Sequence, residues 1–168
     1  LHLEPLHLLC KPQSGELTSG HLDLSDLPAK LAGQPTPTIN LSTRGSGTSI
    51  LAGEVLSFFG LRVGEDFQPM HWSYAELMSD DAKLDYLPDA VFTVSSLPSP
   101  LANLLIHQHG YRLVELPVVE AFRIRWSSLD RRSRLLAGSP ADARIPAFTY
   151  QTTPPVPDRE LHTLGTQL

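Results

Sequence analysis

The sequence predicts an α/β protein, built as a three-layer sandwich around a mostly parallel sheet. Short apolar or β-branched runs alternate with longer segments that have helical periodicity. Glycine and proline mark the boundaries between these runs. The chain has 168 residues, which is enough to enclose one sizeable core. Alternating strands and helices are typical of units in which right-handed helical crossovers join parallel strands.

Four strand–helix pairs account for the middle of the chain, residues 38–136. The strands are short and rich in apolar residues, and we expect them at residues 38–42, 66–71, 89–95 and 111–117. Each strand precedes a segment with a helical pattern, and we expect these helices at residues 48–59, 73–84, 99–109 and 118–136.

Start and stop signals support several of these boundaries. Ser73 and Glu76 have the spacing of a capping box, in which each residue satisfies a backbone N–H at the helix start. Ser99 precedes Pro100, an arrangement that favours an N-cap followed by proline at the first helical position. Gly110 then marks the predicted end of that helix.

Two flanking segments complete the predicted organisation. Residues 1–37 should supply a crossing strand at 6–10 and an irregular segment with one short helix at 25–33. Residues 38–136 form the predicted ligand-binding lobe. Residues 137–168 are proline-rich and end in a strand-like run. Because both ends of the chain fall inside apolar runs, we interpret it as part of a longer protein.

Composition argues against several classes of protein. The net charge of −5 and the absence of a Lys/Arg run argue against a nucleic-acid partner. A small basic cluster at residues 131–134 is better interpreted as a solvated helix face. Cys10 is the single cysteine, so no disulfide framework or cysteine metal site is expected. No run approaches the length of a membrane span. We predict no cofactor and no metal.

The junction between the first central strand and its helix is unusual for its small, polar residues. It consists of Arg44, Gly45, Ser46, Gly47 and Thr48. A helix N-terminus presents unpaired N–H groups, glycine permits close approach, hydroxyls can donate, and arginine suits a carboxylate. The segment therefore predicts a site for a small anion. A tight turn with an ordinary helix cap explains the same residues and stays open as the alternative.

Ser95 and Ser96 close the strand at residues 89–95 and should face the same sheet edge as the junction. They are candidate donors to the same ligand, with helix capping as the alternative. Neither a Walker A loop nor a GxGxxG motif is present. Ser46 lacks the G-x-S-x-G context of a hydrolase nucleophile, and no acid and histidine complete a triad around it. We therefore predict a binding protein rather than an enzyme.

Five motifs in order resemble the TAXI family of solute-binding proteins that serve TRAP transporters. They are the Asp26-Leu27 segment with Gly33, the GSGT turn at residues 45–48, the strand DAVF at 89–92, the proline-flanked helix start at 98–100, and IPAFTY at 145–150.

The resemblance implies a type II periplasmic-binding-protein fold, with two α/β lobes and a ligand cleft between them. This chain would be the second lobe, with the first lobe upstream. It implies capture of a small anionic solute, either a dicarboxylate or an amino-acid-like molecule, and transfer to membrane permease subunits. It also implies a periplasmic or otherwise extracytoplasmic location, with a possible membrane anchor. A small-molecule sensor or regulatory domain attached to a membrane or signalling module is the alternative function.

Overall fold

The computed structural model describes residues 3–12, 36–79, 84–116 and 119–167, and these form a mixed α/β protein, as the sequence predicts. The predicted helix at 25–33 lies outside the described residues. The strands are β1 (Leu3–Cys10), β2 (Thr38–Asn40), β3 (Gln68–Met70), β4 (Ala90–Val94), β5 (Arg112–Val114), β6 (Pro140–Ile145), β7 (Gln151–Thr152), β8 (Pro155–Val156) and β9 (Leu161–Gln167). The helices are α1 (Gly47–Phe58), α2 (Tyr74–Leu77), α3 (Pro100–His109), α4 (Val119–Ser127) and α5 (Arg131–Ala137).

Seven strands form the main sheet, in the order β3-β2-β4-β1-β9-β6, with β5 also pairing with β1. The pairs β2–β3 and β2–β4 are parallel. Strand β1 is antiparallel to β4, β5 and β9, so β2, β3, β4, β5 and β9 all run in the same direction. The sheet is therefore mixed, and its parallel pairing is confined to β3-β2-β4 among the described residues.

Strand β1 is buried over most of its length and lies between two hydrophobic clusters formed by described residues. Leu6 and Leu8 join a cluster that includes apolar residues of α1, α4 and α5. Leu9 faces the other way and joins a cluster with residues of α2 and α3. Because successive side chains of a strand alternate between faces, one central strand carries both cores. Helices consequently cover both faces of the sheet.

Helix starts follow the sequence signals closely. Ser73 and Glu76 form the predicted capping box, and Ser99 caps α3 with Pro100 at its first position. Gly110 ends α3 in the left-handed conformation, with φ of 69°. These predictions are confirmed, because each depends on a local arrangement of side chain and backbone.

Two predicted helices have different lengths in the structure. The helix expected at 73–84 ends at Leu77, and a short 3₁₀ turn follows at Leu84–Tyr86. The helix expected at 118–136 is divided into α4 and α5. The hydroxyls of Ser127 and Ser128 donate to backbone carbonyls three residues earlier, at 2.7 Å and 2.6 Å. Such bonds compete with the helical hydrogen bonds and favour termination.

Within the described residues, every helix is too short or too polar to cross a bilayer.

Candidate functional site

A half-open cavity of about 310 Å³ lies at the edge where β4 and β9 end and α1 begins. Val94 marks the end of β4, and Gln167 ends β9. Glu4 of β1 reaches the same edge, because it pairs with Thr166 of β9. The remaining wall comes from the last turn of α5 and the start of α1. The carboxyl ends of strands in an α/β sheet are the usual place for a ligand.

Two residues at the start of α1 line this cavity. Ser46 is the N-cap, and its hydroxyl accepts a hydrogen bond from the N–H of Ser49 at 3.1 Å. Its carbonyl accepts from the N–H of Ile50, also at 3.1 Å. Gly47 and Thr48 line the cavity, and their N–H groups have no acceptor among the described residues. The first turn of α1 contains no acidic side chain that would offset the positive end of the helix dipole from within the helix.

Gly47 is required by the contact between α1 and α5. A Cβ atom at this position would lie 2.6 Å from the backbone oxygen of Leu136. That distance is far below a normal van der Waals contact, and a backbone oxygen cannot rotate away as a flexible side chain can. Gly45 serves a different purpose, since its φ of 77° belongs to the left-handed turn before the helix.

The structure places the predicted ligand-binding residues in four groups, three of which lie at the start of α1. Gly47 and Thr48 lie together in the wall of the cavity. The side-chain oxygen of Ser46 is committed to the helix cap, as the alternative interpretation of the junction requires. Arg44 is exposed on the turn, and the cavity lining does not include it.

Ser95 and Ser96 follow β4 at the expected sheet edge, but neither residue lines the cavity. The Ser95 N–H donates to the carbonyl of Pro5 at 3.3 Å. Its hydroxyl oxygen is buried and has no partner among the described residues. The Ser95 backbone therefore lies beside the start of β1, and Ser95 follows Val94, which lines the cavity.

Several lining residues carry no signal in the sequence. Glu4 lies in the cavity wall because β1 pairs with β9. Leu135 and Leu136 lie there because α5 packs against α1. No local motif marks any of them. Only knowledge of the strand order, in which β1 lies between β4 and β9, could have placed Glu4 at the carboxyl end of β4.

The polar groups of the cavity have opposite electrical character. The N–H groups of Gly47 and Thr48 present positive partial charge from the helix start. The Glu4 carboxylate presents negative charge in the same cavity. The walls between them include the apolar side chains of Val94, Leu135 and Leu136. This arrangement can hold a small molecule that has a carboxylate at one end and a cationic group at the other.

A second helix start, that of α3, is closed by a buried hydrogen-bond network. The Tyr150 hydroxyl lies 2.6 Å from Nε2 of His7 and accepts a bond from the N–H of Ser99 at 3.2 Å. Nδ1 of His7 lies 3.1 Å from the carbonyl of Pro5. Since a carbonyl can only accept, Nδ1 carries the proton and Nε2 accepts from Tyr150.

Burial has clear electrostatic consequences in this network. Desolvation lowers the pKa of His7 to about 4, from a usual value of 6.5. Desolvation likewise raises the pKa of Tyr150 to about 12. Both groups are therefore neutral at neutral pH, and they bond as a neutral pair. The His7 side chain is completely buried, so this network supports the fold and has no access to solute.

No cluster of three or more His, Cys, Asp or Glu side chains within the described ranges is arranged to hold a metal ion.

Comparison with models of known protein families and with curated protein sequences finds no match. The geometry of the cavity is therefore the basis of the functional proposal.

Proposed function

We propose that this chain is the solute-binding lobe of an extracytoplasmic receptor with a three-layer, type II periplasmic-binding-protein-like architecture. It captures a small carboxylate-bearing solute and passes it to the permease subunits of a TRAP-type transporter, without making or breaking a bond in the solute. The single observation that carries the proposal is that Gly47 and Thr48, whose N–H groups have no acceptor among the described residues, line a cavity at the strand ends.

The solute carboxylate accepts hydrogen bonds from these two N–H groups. Their direction is fixed by α1, which is held by the Ser46 cap at one end and by its buried face against the sheet. The donors need no rearrangement to meet a ligand, so little conformational entropy is lost on binding. An anion at this position also compensates the positive end of the helix dipole.

Glu4 favours an amino-acid-like solute over a dicarboxylate. A carboxylate side chain in the cavity repels a second anionic group and attracts an ammonium group. A zwitterion satisfies both ends of the cavity at once, with its carboxylate at the α1 start and its ammonium near Glu4. The apolar walls then accommodate a short aliphatic side chain.

The size and shape of the cavity fit a small solute and an incomplete enclosure. About 310 Å³ lies at the lower end of the range for small-molecule sites. The cavity is open on one side, so a second surface must cover the solute to exclude water. We assign that surface to the first lobe of the same protein, whose closure would be favoured by its additional contacts with the bound solute.

Calorimetric titration of the full-length protein, with both lobes present, against a panel of small L-amino acids and dicarboxylates tests the proposal. We expect binding of at least one amino acid, and weaker or no binding of dicarboxylates of similar length. Thr48→Glu should abolish binding, because its carboxylate occupies the helix start. Thr48→Gln is the matched neutral control and should retain most of the affinity.

Glu4→Gln separates the two halves of the site. It should lower affinity for amino acids about tenfold, since a charged hydrogen bond becomes a neutral one. The same substitution should leave dicarboxylate binding equal or stronger. A panel without any binder, or a Thr48→Glu variant that binds as well as Thr48→Gln, would contradict the assignment of the α1 start as the carboxylate site.

A further inference from the structure

Helices α4 and α5 carry an unusual concentration of positive charge for an acidic protein. Residues 119–137 contain five arginines and two acidic residues, for a net charge of +3. The rest of the chain contains eight Lys or Arg and sixteen Asp or Glu, for a net charge of −8. All five of these cations are arginine, the side chain whose planar fork matches phosphate oxygens in a bidentate arrangement.

The outward face of α5 places large apolar side chains among these arginines. Leu135 is 72% exposed and Leu136 is 51% exposed. Arg131 and Arg132 lie one turn before them, and residues four apart lie on the same side of a helix. Both arginines are exposed. Two leucines bordered by two arginines therefore form one continuous outward surface.

Helix α4 repeats this combination. Phe122 and Trp126 point into the core, which leaves Ile124 on the opposite side with 68% exposure. Arg123 and Arg125 flank Ile124 in sequence and are also exposed. Because α4 and α5 both pack against α1, they belong to the same helical layer.

The polar contacts of this layer leave much of its charge available. Arg123 pairs with Glu120 at 3.4 Å, an exposed contact of small energetic value. Arg125 donates to the Ser57 hydroxyl at 2.8 Å, and its guanidinium lies 5.9 Å from the centroid of the Phe58 ring; neither contact neutralises its charge. Arg131 and Arg132 form no ion pair with any residue in the described part of the chain.

We propose that the exposed face of α4 and α5 docks on an anionic phospholipid surface. The arginines bind lipid phosphates, and Leu135, Leu136 and Ile124 enter the boundary between headgroups and acyl chains. The strongly negative remainder of the chain is repelled by the same surface, so the charge asymmetry orients the molecule with these helices toward the bilayer. This inference does not depend on which solute the cavity binds, although Leu135 and Leu136 also line that cavity.

Vesicle co-sedimentation tests the proposal directly. We expect the protein to bind vesicles of phosphatidylcholine and phosphatidylglycerol at a ratio of 3:1, and to remain unbound with phosphatidylcholine alone. Binding should weaken at least tenfold between about 0.05 M and 0.5 M NaCl, because salt screens exposed charges. Equal binding to both kinds of vesicle would overturn the charge-based docking.

The matched variants locate the surface. Arg131→Gln with Arg132→Gln should weaken partitioning roughly thirtyfold, since each basic residue contributes separately near an anionic surface. Arg62→Gln with Arg144→Gln removes the same charge from two other exposed arginines, and should change partitioning less than threefold.

Three further outcomes are decisive. Leu135→Ser with Leu136→Ser should weaken vesicle binding about tenfold while the thermal unfolding temperature is retained, because both side chains are exposed. Binding to soluble poly-L-glutamate without binding to vesicles would overturn the lipid assignment and indicate an acidic protein partner. Equal partitioning of both double-arginine variants would remove α5 from the docking surface.

Discussion

Helices α1 and α3 begin in equivalent places and have different surroundings. Each follows a strand of the parallel part of the sheet, and each has a serine N-cap. At α3 the N-cap Ser99 is completely buried, its N–H donates to Tyr150, and Pro100 has no N–H to satisfy. At α1 the N–H groups of Gly47 and Thr48 border a cavity.

The difference shows what leaves one helix start open and closes the other. A serine cap, a preceding strand and a helix dipole are common to both positions, so these features alone do not create a site. The two helix starts differ in the segments, distant in sequence, that pack beside them. Tyr150 covers α3, whereas α5 approaches α1 closely without filling the space beside it.

The largest expected effect is a decrease in the free energy of unfolding in acid, caused by protonation of His7 at the start of α3. Above pH 6.5, His7 is neutral in the folded and unfolded states, and its contribution is constant. Below pH 6.5, the unfolded chain takes up the proton, but the folded protein resists it until about pH 4. The free energy of unfolding should therefore decrease over this interval, by about 3 kcal/mol in total from this group.

Chemical denaturation between pH 7 and pH 4 measures this decrease. The ¹⁵N resonances of the His7 ring provide the assignment, and they should report a neutral ring with the proton on Nδ1 at pH 5.5. A protonated His7 ring in the folded protein at that pH would show that the network tolerates charge, contrary to our account.

Tyr150→Phe should have the next largest effect, a destabilisation of about 2 kcal/mol. The substitution leaves the Nε2 atom of His7 and the N–H of Ser99 buried without their partner. Tyr86→Phe is the control, because Tyr86 is 71% exposed and its variant should unfold within about 0.5 kcal/mol of the natural sequence. Equal stabilities of the two variants in urea titrations would mean that the Tyr150 hydroxyl does not support the α3 start.

Alanine substitutions at two glycines of α1 should change the stability of the protein in opposite directions. Gly47→Ala should destabilise by about 2 kcal/mol, because the new methyl group meets the backbone oxygen of Leu136 and α5 must move. Gly53→Ala should stabilise by about 0.5–1 kcal/mol, because no atom lies within 4 Å of its Cβ position and alanine favours the helix. Opposite signs in thermal denaturation are the expected result, and two stabilised variants would show that α5 does not press on Gly47.

Ser46→Ala has the smallest expected effect on stability, about 1 kcal/mol, as for the loss of a half-buried N-cap. Solute affinity should change less than threefold, because the hydroxyl caps the helix and does not line the cavity. A Ser46→Ala variant with unchanged stability and no solute binding would reverse these roles and make the hydroxyl a ligand donor.

The sequence predicts those parts of the fold that depend on neighbouring residues. The capping box at Ser73, the Ser99 cap and the Gly110 stop each involve groups a few residues apart, and the structure has all three. The alternation of strands and helices is also local in origin, because it follows from the periodicity of apolar residues.

Long-range pairing is the part that the sequence does not reveal. Nothing in the pattern of β1 indicates that it would lie between β4 and β9, antiparallel to both. The sequence therefore does not predict that Glu4 lines the cavity. The contact of Leu136 with Gly47 was missed for the same reason, because a glycine that permits close packing and one that admits a ligand have identical sequence signatures.

The most direct test of the α1 site compares the two helix starts in a single experiment. An amino acid that binds in calorimetry is titrated into ¹⁵N-labelled protein, and amide shifts are followed at each residue. We predict large, saturable downfield proton shifts for Gly47 and Thr48, and no change for Ala102, whose N–H already donates to the Ser99 hydroxyl at the start of α3. Unperturbed Gly47 and Thr48 amides at saturation would contradict the claim that a carboxylate binds at the open end of α1.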